Sequence, residues 1–267
     1  MLVNKYLYRK GGAETYFIKL GEYLKSLGNE VEYFGMADER NCVGNRVEAY
    51  TENIDFHKKS LKHITYPFKI IYSVNARKQI RKVLSDFKPD VVHLNNFNYQ
   101  LTPSIIYEIK KRNIPIVYTA HDVQLVCPNH KLKNDYTDGL CRKCDGGKYF
   151  ECVKNNCVHS SKIRSILGAV EAWYYKLRHT YKMIDLTVCP SEFMEKEISR
   201  NDDINGRTVT MYNFIDEIKP LGAECENYVL YFGRYSEEKG ISNLVKAAKK
   251  LSNIPFVFAG KGELENE

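Results

Sequence analysis

Residues 114 to 122, which read Ile-Pro-Ile-Val-Tyr-Thr-Ala-His-Asp, constrain the fold more than any other stretch of this chain. The β-branched and aromatic run at residues 116–120 predicts a strand that is buried on both faces of a parallel sheet. This strand ends on a polar pair, His121 and Asp122. Ligands bind beyond the carboxyl ends of such strands, so the pair is a candidate site. The structural alternative is that Asp122 caps a following helix.

Strand and helix patterns alternate along most of the chain. A first strand is predicted at residues 2–7, and a helix with apolar residues at steps of three and four follows the Gly11-Gly12 turn. Further strands are predicted at residues 30–36, 91–94, 185–189 and 207–211, and helices at residues 66–87, 103–112 and 160–183. This alternation predicts an α/β fold with a doubly wound parallel sheet.

A change of composition at residues 217–227 predicts a linker, and the strand-helix-strand pattern restarts after it. We therefore predict an N-terminal domain at residues 1–218 and a second domain at residues 219–267. The second stretch holds only about 50 residues, which is too little core for a comfortable independent domain. We expect it to be an incomplete domain of a truncated chain.

Composition limits the class of protein. Apolar residues make up 43% of the 267 residues, which excludes a disordered chain. The net charge of +7 suits an anionic ligand, an anionic membrane surface or nucleic acid, and charge alone does not separate these. The sequence has no secretory signal and no run of about 18 apolar residues. We therefore predict a cytoplasmic protein, whose thiols stay reduced.

A polar, cysteine-bearing insertion is predicted at residues 122–160. Cys141 and Cys144 have the spacing of metal ligands. Cys127, Cys152 and Cys157 are candidate partners, of which we select Cys127 and Cys157, and His130 and His159 are possible substitutes. Four thiolates hold Zn²⁺ tetrahedrally and leave no open position, so such a zinc would be structural. The alternatives are a disulfide or reduced cysteines in a loop without metal.

Six short motifs occur in order along the chain. They are Gly11-Gly-Ala-Glu14, Asp90-Val-Val-His93, Tyr118-Thr-Ala-His-Asp122, Pro190-Ser-Glu-Phe193, Tyr212-Asn-Phe-Ile-Asp216 and Gly233-Arg-x4-Lys-Gly240. Together they resemble the retaining GT-B glycosyltransferases of family 4, from the first residues to the last. The resemblance implies two Rossmann-like domains that face each other across a cleft. It places a nucleotide-diphosphate sugar mainly on the second domain and the acceptor mainly on the first.

The resemblance also implies roles for individual residues. Arg234 and Lys239 match the pair that grips the donor diphosphate, whose growing negative charge fixed cations stabilise. The Gly11-Gly12 turn would bring backbone N–H groups near the donor. His121 matches the catalytic-site histidine that hydrogen-bonds a sugar hydroxyl. No metal is implied for the chemistry, because the basic pair replaces it.

The resemblance implies, at family level, that the acceptor is a cell-envelope glycan or a lipid-linked acceptor. With such an acceptor we expect peripheral contact of the protein with the inner face of the membrane. The sequence departs from the family in one respect, because the pair of glutamates late in the second domain is absent. We therefore expect weak donor binding and no measurable transfer by this chain alone.

Two other functions fit part of the sequence. A metal-stabilised basic module could bind nucleic acid, but the insertion has few interleaved aromatic and basic residues, so no nucleic acid is expected. A dinucleotide-dependent oxidoreductase would carry Gly-x-Gly-x-x-Gly after the first strand, and this chain does not.

Overall fold

The computed structural model describes residues 1–53, 66–134, 139–204, 206–215, 217 and 226–265. The chain divides into two compact units, Met1–Phe214 (unit 1) and Ile215–Glu267 (unit 2). The division lies four residues before the boundary predicted after residue 218.

Unit 1 contains a six-stranded sheet with helices between the strands. Its elements are β1 (Leu2–Val3), α1 (Gly12–Ser26), β2 (Tyr33–Phe34), α2 (Tyr66–Ile71), α3 (Val74–Phe87), β3 (Val92–Leu94), α4 (Ile105–Lys110), β4 (Ile116–Thr119), α5 (Phe150–Lys154), α6 (Lys162–Leu177), β5 (Leu186–Cys189), α7 (Glu192–Ile198) and β6 (Thr208–Thr210). The strand order is β2-β1-β3-β4-β5-β6, and every neighbouring pair is parallel. The predicted α/β class with a parallel sheet is confirmed.

Both faces of this sheet are covered, as the alternation of side chains along a strand requires. Leu2 and Tyr33 pack with Phe17 and Ile18 of α1 on one face. The next residue of each strand, Val3 or Phe34, packs into the larger core on the other face. That larger core also takes the buried residues of α3 and α4, so the sheet is doubly wound.

Several elements are shorter than the sequence pattern indicates. The helix predicted at 66–87 is two helices, because Ser73 leaves the helical conformation and accepts a hydrogen bond from Ala76 N–H as an N-cap. The helix predicted at 160–183 ends at Leu177, and His179 with φ 48° separates it from a 3₁₀ turn. The first strand ends at Val3 because the buried Asn4 side chain binds backbone groups, its Nδ2 donating to Tyr6 O (2.7 Å).

The order in which strands are added to the sheet reverses at β1, which pairs with β2 on one side and β3 on the other. Crevices form beyond the carboxyl ends of strands at such a point. The ends of β1, β3 and β4 therefore place Asn4, Asn95 and His121 along one edge.

Unit 2 contains β7 (Val229–Phe232), α8 (Ile241–Lys250) and β8 (Phe256–Ala259). The two strands are parallel and in register from Val229 opposite Phe256 to Phe232 opposite Ala259. In the described part of the chain, no helix is both long enough and apolar enough to cross a membrane.

A buried carboxylate holds α3 and α4 together. Glu108 is 1% exposed and contacts Arg77, Arg81 (Nε–Oε2 3.0 Å) and Lys111 (Nζ–Oε1 3.6 Å). Burial alone would raise the pKa of Glu108, but the hydrogen bonds from Arg81 and Arg77 outweigh it and lower the pKa to about 2. The carboxylate is therefore ionised in the folded protein under ordinary conditions.

Replacing this carboxylate should destabilise unit 1. We expect Glu108→Gln to lower the free energy of unfolding at pH 7 by about 3 kcal/mol, because the guanidinium groups lose a buried partner. Urea unfolding measures the change, and Glu52→Gln, on an exposed carboxylate, should cost about 0.5 kcal/mol or less. Because the folded-state pKa is depressed, the wild-type advantage should fade as the pH falls from about 4.5 towards 2. Equal effects of the two substitutions would contradict this role.

Candidate active site

A histidine and an asparagine are joined across the ends of two neighbouring strands. His121 follows β4, and its Nε2 lies 2.8 Å from Oδ1 of Asn95, which follows β3. Asn95 is fully buried, and among the described residues its Nδ2 atom has no hydrogen-bond partner. A buried amide donor without a partner costs free energy, so this edge is suited to receive an acceptor group from a ligand.

His121 is partly exposed, so a ligand can reach it. Burial lowers the pKa of its imidazole to about 4, against a smaller opposing effect of Asp122. The ring is therefore neutral at pH 7. In the tautomer whose proton is on Nε2, His121 donates to Asn95 and keeps Nδ1 as an acceptor.

An aromatic contact connects His121 to the start of α1. The Tyr16 ring lies 5.4 Å from the His121 ring at 70°, and Phe214 lies 5.3 Å from Tyr16. Tyr16 is in the first turns of α1, whose N-cap is the extended residue Gly11 without a side-chain cap. A Cβ added at Gly12 would meet no atom within 4 Å. There is thus open space beside Gly12, whereas a Cβ added at Gly11 would lie 3.4 Å from Glu14 Oε2.

Asp122 binds a histidine of the insertion and does not cap a helix. Its Oδ1 accepts a hydrogen bond from Gln124 N–H in a turn, and its Oδ2 lies 3.3 Å from His130 Nδ1. Burial lowers the pKa of His130, but Asp122 more than compensates and raises it. The His130 ring stacks on Tyr99 at 6.0 Å. His130 is therefore a neighbour of the candidate site. Its side chain pairs here with Asp122, and its role as a substitute for a cysteine ligand stays a prediction.

Three further groups near this edge, Lys5, Tyr99 and Glu171, carry no sequence signal. Lys5 Nζ lies 4.9 Å from the Tyr6 ring and 4.7 Å from the Tyr99 ring, and burial lowers its pKa. Burial raises the pKa of Glu171 to about 7, while the nearby His130 lowers it. Each is a single residue at the end of a strand, in a loop or on a helix, so only the folded chain reveals it.

The four cysteines predicted as metal ligands come together. Cys127, Cys141, Cys144 and Cys157 line one small cavity, together with Cys152. All five are free thiols. As the side chains stand, no group of three or more His, Cys, Asp or Glu residues in the described ranges could hold a metal ion.

The two predicted phosphate-binding residues lie in unit 2. Arg234 is exposed, and its Nη2 donates to Glu238 Oε1 at 2.6 Å. Lys239 ends the 3₁₀ turn Glu237–Lys239, and Gly240 with φ 71° leads into α8. Between them, Ser236 is buried, and its Oγ has no partner among the described residues.

The family model for "Glycosyltransferase Family 4" matches residues 10–218. The chain belongs to glycosyltransferase family 4. Among curated proteins the chain is similar to an "Uncharacterized 42.6 kDa protein in cps region" of Klebsiella pneumoniae, with 25% identity. The matched region covers 98% of this chain and 68% of the Klebsiella protein.

Solved structures share the fold. The chain is similar to Anabaena Alr3699/HepE in complex with UDP and glucose, with a TM-score of 0.53, 15% identity and coverage of 98% of this chain and 60% of that one. It is also similar to the catalytic domain of starch synthase IV from Arabidopsis thaliana, with a TM-score of 0.51, 11% identity and coverage of 98% and 68%. The family 4 chain thus has a GT-B type fold, and it spans about three fifths of the HepE structure.

The protonation of His121 can be tested by NMR. In the family 4 chain we expect the imidazole resonances of His121 to stay those of a neutral ring from pH 8 to pH 5 and to titrate near pH 4. Asn95→Asp should raise this pKa by about 1 or more, because a carboxylate replaces the amide 2.8 Å away. Titration of wild-type His121 between pH 6 and 7 would contradict the assignment.

Proposed function

We propose that this family 4 protein is a retaining glycosyltransferase that moves a sugar from a nucleotide-diphosphate sugar to a cell-envelope glycan or a lipid-linked acceptor. The observation that carries the proposal is the His121–Asn95 pair at the ends of β4 and β3, in a chain whose family is known. The presence of UDP and glucose in the HepE complex supports the donor class. The location of the Klebsiella relative in a cps region supports the acceptor class.

Unit 1 contributes groups for the sugar and the acceptor. His121, neutral and donating to Asn95, offers Nδ1 to accept a hydrogen bond from a sugar hydroxyl. Nδ2 of Asn95, which has no hydrogen-bond partner within the described part of the chain, offers a buried donor. The amino end of α1 at Gly12, where no side chain caps the helix, offers backbone N–H groups to an anionic ligand.

Unit 2 contributes positive charge. As the diphosphate leaves, negative charge grows on its oxygens, and Arg234 and Lys239 are the groups proposed to stabilise it. Arg234 is at present bound to the exposed Glu238, a contact that an incoming phosphate can replace because exposed ion pairs are weak. This basic pair provides the charge that a metal ion supplies in other phosphate chemistry. A lipid-linked acceptor would bring the protein to the inner face of the membrane.

Removing the basic pair should weaken donor binding. We expect Arg234→Ala and Lys239→Ala each to raise the Kd for UDP, ADP or GDP by about tenfold or more, the equivalent of about 1.4 kcal/mol. Isothermal titration calorimetry with each nucleotide and its glucose derivative measures this on the full chain. Lys249→Ala, on the exposed end of α8, is the matched control.

Binding is the primary measurement because it reports directly on the proposed donor site. Failure of every nucleotide to bind at millimolar concentration would contradict the proposed donor site. Equal Kd values for wild type, Arg234→Ala and Lys239→Ala would remove the assigned roles.

A methyl group at Gly12 separates ligand binding from stability. Gly12→Ala adds a Cβ that meets no protein atom, so we expect the free energy of unfolding to stay equal or rise by up to about 1 kcal/mol. The same methyl group should raise the Kd of the nucleotide if a phosphate approaches this backbone. Thermal unfolding and calorimetry on one sample decide between these effects. Unchanged affinity would show that no ligand approaches Gly12.

A further inference from the structure

Five of the seven described cysteines meet in one place. Cys127, Cys141, Cys144, Cys152 and Cys157 line the same small cavity, although they come from three separate parts of the insertion. The other two lie apart, since Cys189 belongs to the core of unit 1 and the exposed Cys42 contacts Leu7 O. The convergence is therefore specific to the insertion.

This part of the insertion has little apolar material to hold it in place. The cluster that packs under it contains Val123, Val126, Cys127 and Leu132, with Met194 of α7 against it. Small segments with so few buried apolar groups are ordinarily held by disulfides or a metal. Here the thiols are free, and the residues near them include Lys133 of the cavity wall and Lys143 close to Cys157.

The surroundings of the five sulfurs are not equivalent. Backbone N–H groups of Asn129 and Leu132 lie near Cys127, and Asn134 Nδ2 donates to Cys141 Sγ at 3.1 Å. Such N–H···S bonds orient and stabilise thiolate ligands. Cys144 lines the same small cavity as the other four cysteines.

Cys152 is the most deeply buried of the five cysteines. Its side chain is 1% exposed, and it contacts Ser165 of α6 as well as Cys157. A tetrahedral thiolate site takes four sulfurs. The four that are less deeply buried, and so can move more freely to bind an ion, are Cys127, Cys141, Cys144 and Cys157.

The present side-chain positions suit protonated thiols. Cys127 Sγ donates a hydrogen bond to Asn129 Oδ1 at 2.9 Å, and the thiols of Cys152 and Cys157 are hydrogen-bonded to each other. Both contacts need a thiol proton, which a metal ion displaces. This accounts for the absence of a ready metal-binding group in the described ranges, since loss of the proton frees each thiol to adopt another staggered rotamer.

We propose that Cys127, Cys141, Cys144 and Cys157 bind one Zn²⁺ ion after one or more of their side chains change rotamer, with Cys152 as a hydrogen-bonding neighbour. Binding replaces four S–H protons by four S–Zn bonds and releases the protons to solvent, without any change of oxidation state. The four thiolates carry a charge of −4 and the ion +2, so the site has a net charge of −2, which Lys133 and Lys143 partly offset.

The ion would also fix one wall of the candidate active site. His130 N–H donates to Cys127 O at 2.9 Å, and the His130 side chain pairs with Asp122, the residue after His121. On the other side, Arg142 between Cys141 and Cys144 donates through Nε to the fully buried Glu197 of α7 at 3.0 Å. The zinc site would thus connect the insertion to both β4 and α7.

The test uses the full chain purified from zinc-supplemented cells. We expect about one zinc per chain by elemental mass spectrometry and native mass spectrometry. Single Cys→Ser substitutions at residues 127, 141, 144 and 157 should each remove most of the zinc. Cys152→Ala and the exposed Cys42→Ser should retain it. A strong chelator should lower the Tm of wild type by about 5 °C or more.

A second measurement covers variants that do not fold. Cobalt added to the metal-free wild-type chain should give the intense absorption bands of a tetrahedral thiolate site, and zinc should abolish them. Less than about a tenth of a zinc per chain with no cobalt bands would overturn the proposal. Bound iron in place of zinc would also overturn it. So would a chain mass lower by two hydrogens, with the disulfide that this indicates located among these cysteines. Loss of zinc in Cys152→Ala equal to that in Cys144→Ser would overturn the choice of four ligands.

Discussion

The parallel pairing of β1, β3 and β4 is the constraint on which the rest of the structure depends. Parallel strands end at the same edge of a sheet, so residues that are far apart in sequence arrive together once the register is fixed. Leu94 stands opposite Tyr118, and this register brings Asn95 and His121 within hydrogen-bonding distance. A slip of one residue would turn His121 to the other face and break the pair. The register of two short strands therefore sets the chemistry of this edge.

Two histidines at this edge have opposite electrostatic environments. Burial beside a neutral amide keeps His121 uncharged, whereas the contact with Asp122 favours the charged form of His130. A neutral imidazole can accept a hydrogen bond, and an imidazole that is paired with a carboxylate can position that carboxylate. Two residues of one type, nine positions apart, thus serve different tasks because of what each one contacts.

The sequence predicted the fold class because strand and helix patterns depend on local spacing. It also located His121, since a buried run that ends on polar residues marks the edge of a sheet. The sequence pattern overestimated the lengths of most helices and strands. Their ends are set by particular side-chain hydrogen bonds, such as those of Asn4 and Ser73 to nearby backbone groups. The partner of Asp122 could not be predicted, because His130 reaches it only when the insertion folds back.

The folded-back insertion explains why a polar segment can be part of a precise site. A loop positions a side chain only if its own conformational entropy is already lost, and this one has few apolar contacts to oppose that entropy. The buried Glu197 supplies one anchor through Arg142, and the backbone turn from Cys127 to His130 supplies another. Neither anchor constrains Cys144 and Cys157 with respect to Cys127. The proposed zinc ion, bound by all of these sulfurs, would constrain them. Such a shared ion explains why the cysteines converge, which packing alone does not.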